Sequence, residues 1–173
     1  METVKAPDSH PEATLERLIR ENQVSLKRLC YLYLHDQAMA EDAVQETFLK
    51  VYRSLKDFRG EASEKTYLTR IAINTCKDML KSSWAKHTDR SVTPDSLPEG
   101  SVPFDERDDT VTRAVMSLPQ KIKEVTLLHW YQGMTLNEMA KVLKLPRSTV
   151  NYRLKKAKAM LKEKLEDWYH DDE

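Results

Sequence analysis

At 173 residues, with 28 Lys and Arg balanced by 28 Asp and Glu, the chain has room for one domain or two small ones and carries no net charge. Three glycines, heavy charge and no apolar run long enough for a bilayer point to a soluble, mostly helical protein and exclude a transmembrane one. Two cysteines, Cys30 and Cys76, each inside an apolar helical pattern, read as buried free thiols, and the polar N-terminus is not a signal peptide, so a cytoplasmic protein is expected.

The first predicted helix covers roughly residues 12–34, with Leu15, Leu18, Ile19, Leu26, Leu29 and Cys30 as its apolar stripe. The second covers roughly 39–56. At about 100° per residue, Ala40, Val44, Thr47, Phe48, Val51 and Leu55 cluster on one side as core. The other side holds Asp42, Gln45, Glu46 and Arg53, with Leu49 among them. A leucine inside a charged face hints at a contact, although a single exposed leucine is ordinary. Asp42 and Glu46 stand i, i+4, a spacing also open to a metal ion, but the sequence offers no evident third ligand.

The segment Asp57–Ser63 is small and polar enough to accept an unstacked base. The third helix, roughly 64–81, buries Leu68, Ala72, Thr75, Cys76 and Met79. Its other side gathers Tyr67, Arg70, Asn74, Lys77 and Lys81. Cations for phosphates, an amide for a base edge and an aromatic ring for stacking are what single-stranded DNA requires. A Lys/Arg stripe that is only a solvated face is the plainer alternative.

From Ser91 to about Pro103 the apolar pattern fails, and turn-forming Pro, Gly, Asp and Ser replace it. Periodicity resumes near Val111. We therefore expect an all-α protein of two small helical domains, 12–87 and 111–168, joined by a flexible acidic linker at 88–110.

The C-terminal stretch Met134–Lys164 reads as a helix-turn-helix. Thr135 is a good N-cap, with Glu138 as its capping-box partner, and Leu136, Met139, Ala140 and Leu143 follow at helical spacing. Leu145-Pro146 ends that helix and suits a new start. From Arg147, Val150, Leu154, Ala157, Leu161 and Leu165 share one face. Ser148, Thr149, Asn151, Tyr152, Arg153, Lys155, Lys156 and Lys158 occupy the others. A basic second helix after a tight turn places side chains in a major groove; a helical hairpin with a solvated basic face is the alternative. Leu127, Leu128, Trp130 and Tyr131 crowd the preceding helix and encircle it too far for one core, so at least one is expected to face a partner.

Charge distribution restores the case for DNA that zero net charge weakens. Residues 146–166 hold seven Lys or Arg against Glu163 and Glu166, whereas 91–110 hold six acids against Arg107, and 167–173 add four acids and no base. Phosphate attraction depends on local faces rather than on the total.

Ala40-Glu41-Asp42-Ala43-Val44-Gln45-Glu46-Thr47-Phe48 resembles a segment of bacterial sigma factors. Phe58-Arg59-Gly60-Glu61 and Tyr67-Leu68-Thr69-Arg70-Ile71-Ala72-Ile73-Asn74-Thr75 resemble the promoter-melting segment that follows it. Ser117-Leu118-Pro119 and Tyr131 to Ala140 resemble the family's last domain. Two such domains with nothing but a short linker between them resemble the extracytoplasmic-function (ECF) class. Tyr67 stands where that family most often has Trp, and Lys144 where a Gly or Asn is common in the turn.

The resemblance implies a sigma factor that directs core RNA polymerase to promoters and helps open the −10 region. It assigns polymerase docking to Asp42, Gln45, Glu46 and Leu49. It assigns the single-stranded −10 element to Phe58, Arg59, Gly60, Ser63, Tyr67, Arg70, Asn74 and Lys77. Duplex −35 DNA falls to Arg147, Ser148, Thr149, Asn151, Tyr152, Arg153, Lys155 and Lys156. It implies an anti-sigma factor as a further partner. Neither the residues nor the resemblance calls for a cofactor, a metal, membrane insertion or an enzymatic activity. A stand-alone helix-turn-helix regulator is the alternative function.

Overall fold

The computed structural model describes residues 10–58, 63–86 and 109–170, and among these every regular element is helical. In chain order they are α1 (Pro11–Leu34), α2 (Gln37–Ser54), α3 (Glu64–Lys86), α4 (Asp109–Met116), α5 (Gln120–Thr126), α6 (Leu136–Leu143) and α7 (Arg147–His170). They group into two compact units, 1–93 and 94–173. The acidic segment 88–108, Arg59, Gly60 and the last three residues lie outside the described residues.

The N-terminal unit packs α1, α2 and α3 against one another. Pro11 starts α1, and Asp36 caps α2 by accepting the Met39 amide at 2.8 Å, which sets its start two residues ahead of the sequence-based boundary. Leu18, Leu26, Leu29 and Leu32 of α1 meet Ala40, Val44, Phe48 and Val51 of α2 and Leu68, Ala72 and Ile73 of α3 in the core. Each such large apolar side chain contributes about 1.5–3 kcal/mol on burial. Cys30 and Cys76 are free and fully buried, as their apolar surroundings in the sequence indicate. Leu55 is a correction: it belongs to a 3-10 turn, Leu55–Asp57, and is only half-buried. Helix α3 outruns its expected end at 81, reaching Lys86.

In the C-terminal unit α4, α5 and α6 all pack on α7, and α5 is the most deeply buried of them. Residues 122 to 128 are buried without a break, the pattern of a helix enclosed on all sides. After Thr126 the backbone widens into a π-helical turn, Leu127–Tyr131. Helix α6 opens on the expected capping box, with Thr135 Oγ1 accepting from the Glu138 amide and Glu138 Oε2 from the Thr135 amide. Lys144 ends it in the left-handed region at φ 53°, and the Leu145 amide donates to Ala140 O at 3.1 Å. A left-handed lysine costs about 1 kcal/mol, yet the turn keeps its geometry. Pro146 then starts α7, its carbonyl accepting from the Thr149 and Val150 amides.

Candidate nucleic-acid and polymerase interfaces

Burial of Ala40, Ala43, Val44, Thr47 and Val51 turns the other side of α2 to solvent. Asp42, Gln45 and Leu49 are exposed there and Glu46 is half-exposed; Leu49 retains 50% of its surface. Tyr52, 42% exposed, extends this stripe one turn beyond Leu49. Sequence reasoning passed over Tyr52, although its i+3 spacing from Leu49 and i+7 spacing from Gln45 was the available signal. At the margin, Glu41 pairs with Lys27 of α1 at 2.8 Å, and that bond lowers the carboxyl's pKa. Among the described residues no three His, Cys, Asp or Glu converge to hold a metal ion.

The start of α3 carries a polar and aromatic cluster. Ser63 Oγ accepts the Thr66 amide at 3.1 Å and donates to Thr66 Oγ1 at 2.8 Å, fixing the first turn. Phe58 packs on Tyr67 with ring centroids 4.8 Å apart and planes tilted by 43°. The Tyr67 hydroxyl shares a hydrogen bond with Ser54 Oγ of α2. The Arg70 guanidinium lies 5.8 Å from the Tyr67 ring centroid, within cation–π range. The structure therefore joins Phe58, Tyr67 and Arg70, with Ser63 at the helix start. Arg70 and Asn74 are exposed and Lys77 is half-exposed. Buried Leu68, Ala72, Ile73 and Cys76 hold this face outward.

On α7, Val150, Leu154 and Ala157 are buried and Arg147, Ser148, Tyr152, Lys155 and Lys156 are exposed, with Tyr152 at 65%. Thr149, Asn151 and Arg153 are half-buried between the two faces. A short first helix, a tight turn and a longer basic helix anchored on one side form a helix-turn-helix able to enter a groove.

Two features of this unit escaped sequence reasoning. Lys123 and Glu124 are buried at 3% and 5% exposure. Burial pushes the Lys123 ammonium down to about 8, with the Glu124 charge opposing; no pattern in the sequence separates them from surface charges. The second is which bulky residue faces out. Leu127 and Leu128 are fully buried and Tyr131 is half-buried, but Trp130 is 46% exposed. The wider π turn changes the angular spacing, and the His129 ring meets Trp130 edge-on at 4.8 Å. His129 Nδ1 lies 3.3 Å from Met134 O, a structural contact that ties the turn together.

Residues 18–86 match the family model described as Sigma-70 region 2, and residues 108–161 match that for Sigma-70, region 4. The chain is 29% identical over 163 residues to the RNA polymerase sigma-H factor of Pseudomonas aeruginosa, covering 86% of this chain and 84% of that protein. It is 27% identical over 179 residues to the ECF RNA polymerase sigma-E factor of Escherichia coli K12, covering 90% and 94%. Among solved structures, the fold resembles the sigma factor RpoE of Bartonella quintana in complex with the anti-sigma factor NepR, at a TM-score of 0.70 and 21% identity, covering 87% of this chain and 98% of that one. It also resembles CnrH in complex with the cytosolic domain of CnrY, at a TM-score of 0.66 and 22% identity, covering 90% of each chain. Two family regions in the same order, over two separately packed helical units, place this chain in the sigma-70 family of RNA polymerase sigma factors, in its ECF class.

Proposed function

We propose that the three faces divide the work of promoter recognition. The unit at 12–87 docks on core polymerase through Asp42, Gln45, Glu46 and Leu49. The same unit holds the unpaired −10 strand with the loop before α3 and with Tyr67, Arg70, Asn74 and Lys77. The unit at 111–168 reads duplex −35 DNA through the start of α7, while Lys155 and Lys156 contact phosphate. The acidic stretch 88–110 connects the two and discourages non-specific DNA binding by repelling phosphates. Polymerase holds both DNA-reading units at once, so each can be weak and the assembly strong.

Opening needs no covalent step on this reading. Unstacking a base costs a few kcal/mol, offset when the base enters a protein site, and the protein acts as an initiation factor in the cytoplasm rather than as an enzyme. The observation that carries the proposal is the Phe58–Tyr67–Arg70 cluster: a half-buried aromatic pair joined to an exposed cation near one helix start suits a flipped base and its phosphate. An anti-sigma factor is the natural regulator. Trp130, exposed in a small domain, is the anchor we assign to a protein partner.

Run-off transcription from a cognate promoter, with core polymerase in the presence and absence of the protein, tests the proposal. Transcripts are expected only with it, and Gln45→Ala with Leu49→Ala should weaken co-purification with core while leaving helicity intact. A protein that shifts promoter DNA tightly by itself and leaves run-off unchanged is a stand-alone regulator instead. For the anti-sigma partner, a pull-down from non-induced native cells should recover a protein besides polymerase subunits with wild type and less of it with Trp130→Ala. Recovery of polymerase subunits alone rejects that partner.

A further inference from the structure

Helix α1 contributes to none of the three faces, yet it grips the start of α3. Arg17 Nη2 donates to Glu64 Oε1 at 2.8 Å and Arg17 Nη1 to Glu64 Oε2 at 3.0 Å, across 47 positions of sequence. Nη1 also reaches Glu21 Oε2 at 3.1 Å, one turn along α1. The Arg17 side chain is only 12% exposed and that of Glu64 only 27%.

A guanidinium fork on a carboxylate fixes orientation as well as distance, because two parallel bonds resist rotation about either one. An ion pair held away from water is a poor device for stability alone, since desolvation cancels much of the attraction. Here the geometry is not even complete: Arg17 Nε is buried without a hydrogen-bond partner. What the pair secures is position. Glu64 is the first residue of α3, directly after the Ser63 cap. Tyr67 stands three residues further on and Arg70 six, so both ride on the first two turns of the helix whose start Arg17 holds.

We propose that Arg17 is a positioning residue for promoter opening: by clamping Glu64 it fixes where the first turns of α3 present Tyr67 and Arg70 to the unpaired −10 strand. The inference rests on the −10 reading of that face given above. Arg17 acts through Glu64 and touches no DNA. Glu64 raises the Arg17 pKa further above its ordinary value, so the clamp stays charged at neutral pH.

The test uses the full chain with core polymerase on two templates, a fully duplex promoter and the same promoter with a mismatched, pre-opened −10 segment. Arg17→Ala is expected to slow initiation about tenfold on the duplex, the size of effect a small misplacement produces, and less than about twofold on the pre-opened template, with core binding unchanged. Arg17→Lys keeps the charge but loses the fork, and should fall between. The exchange Arg17→Glu with Glu64→Arg should recover most of the duplex rate. Equal losses on both templates from Arg17→Lys, or no loss on either, overturn the clamp, and Arg17→Lys decides the matter where Arg17→Ala folds poorly. Tyr67→Ala and Asn74→Ala, measured alongside, separate the two claims. If they discriminate the templates and the Arg17 variants do not, the clamp alone falls. If they fail to discriminate as well, the −10 reading falls and takes the clamp with it.

Discussion

The two units present their proposed DNA-reading helices in different ways. In the N-terminal unit three long helices enclose an apolar core with a pair of thiols in it, and the half-buried start of α3 is already organised: Tyr67 is engaged by Phe58, Ser54 and Arg70. In the C-terminal unit the short α5 packs chiefly on the long α7, two charged side chains lie inside, and the exposed cations at the start of α7 extend into solvent. A preorganised face loses little side-chain entropy when it takes up a single strand, whereas an open cationic face must order its side chains on the duplex. On the proposed reading, the first arrangement serves capture of one displaced base and the second a scan of phosphates before bases are read.

The strongest way to break the comparison is to empty one core and watch the other. Met139 is fully buried, and Met139→Ala is expected to destabilise the C-terminal unit by about 2–5 kcal/mol. In thermal unfolding followed by methyl NMR, Ile122 should report the loss and Ile73 of the N-terminal unit should not. A matching shift at Ile73 would mean that the units do not melt independently.

Titration sharpens the contrast, because the two cores respond to alkali in opposite directions. The unfolded chain keeps Lys123 protonated up to its ordinary value near 10.5, while in the folded unit it releases its proton at about 8. Between those values the unfolded state binds more protons, so the C-terminal unit gains stability as pH rises, by at most about 3 kcal/mol. Contact with Cys30 and burial push the Cys76 thiol well above its ordinary 9.0. Above that value the unfolded chain loses a proton that the folded unit retains, so the N-terminal unit loses stability. Urea unfolding at pH 7.5 and 9.5, read at Ile122 and Ile73, should show opposite shifts, and Lys123→Met should flatten the first.

Smaller effects distinguish the two readers. Arg147→Ala should relax preference at one −35 position by about 1–3 kcal/mol if its contact is bidentate. Lys155→Ala with Lys156→Ala should weaken all sequences alike and reduce the salt slope of binding by about 2. Selection on a randomised upstream element, repeated at two salt concentrations, checks both. The smallest change is Tyr67→Phe, which removes only the hydroxyl bonded to Ser54. We expect it to reduce opening by about 0.5–1.5 kcal/mol, read by a fluorescent adenine analogue in the −10 element, with −35 binding unchanged.

Much of this organisation was legible before the structure. Helical periodicity located the long helices, and the cap of α6 and the break at Leu145-Pro146 followed from local chemistry. Expected boundaries drifted where a short-range bond decided them, as with Asp36 at the start of α2. The candidate faces on α2, α3 and α7 followed from the same periodicity, since a helix that buries one stripe must expose the other. Tyr52 obeys the same rule, exposed three residues after Leu49. Burial of Lys123 and Glu124 had no local signal, because it depends on how many neighbours surround α5.

The sequence by itself determined what neighbours along the chain decide: helix identity, the capping box, the proline break, the faces of each helix and the separation of basic from acidic segments. Only the tertiary structure decided what distant residues do to one another. It set Arg17 on Glu64, brought Phe58 and Tyr67 into ring contact, widened the backbone at Leu127–Tyr131 and left Trp130 outside. The physical reason is range. Backbone hydrogen bonds and side-chain periodicity act within four or so residues, whereas an ion pair across 47 positions exists only after three helices have packed.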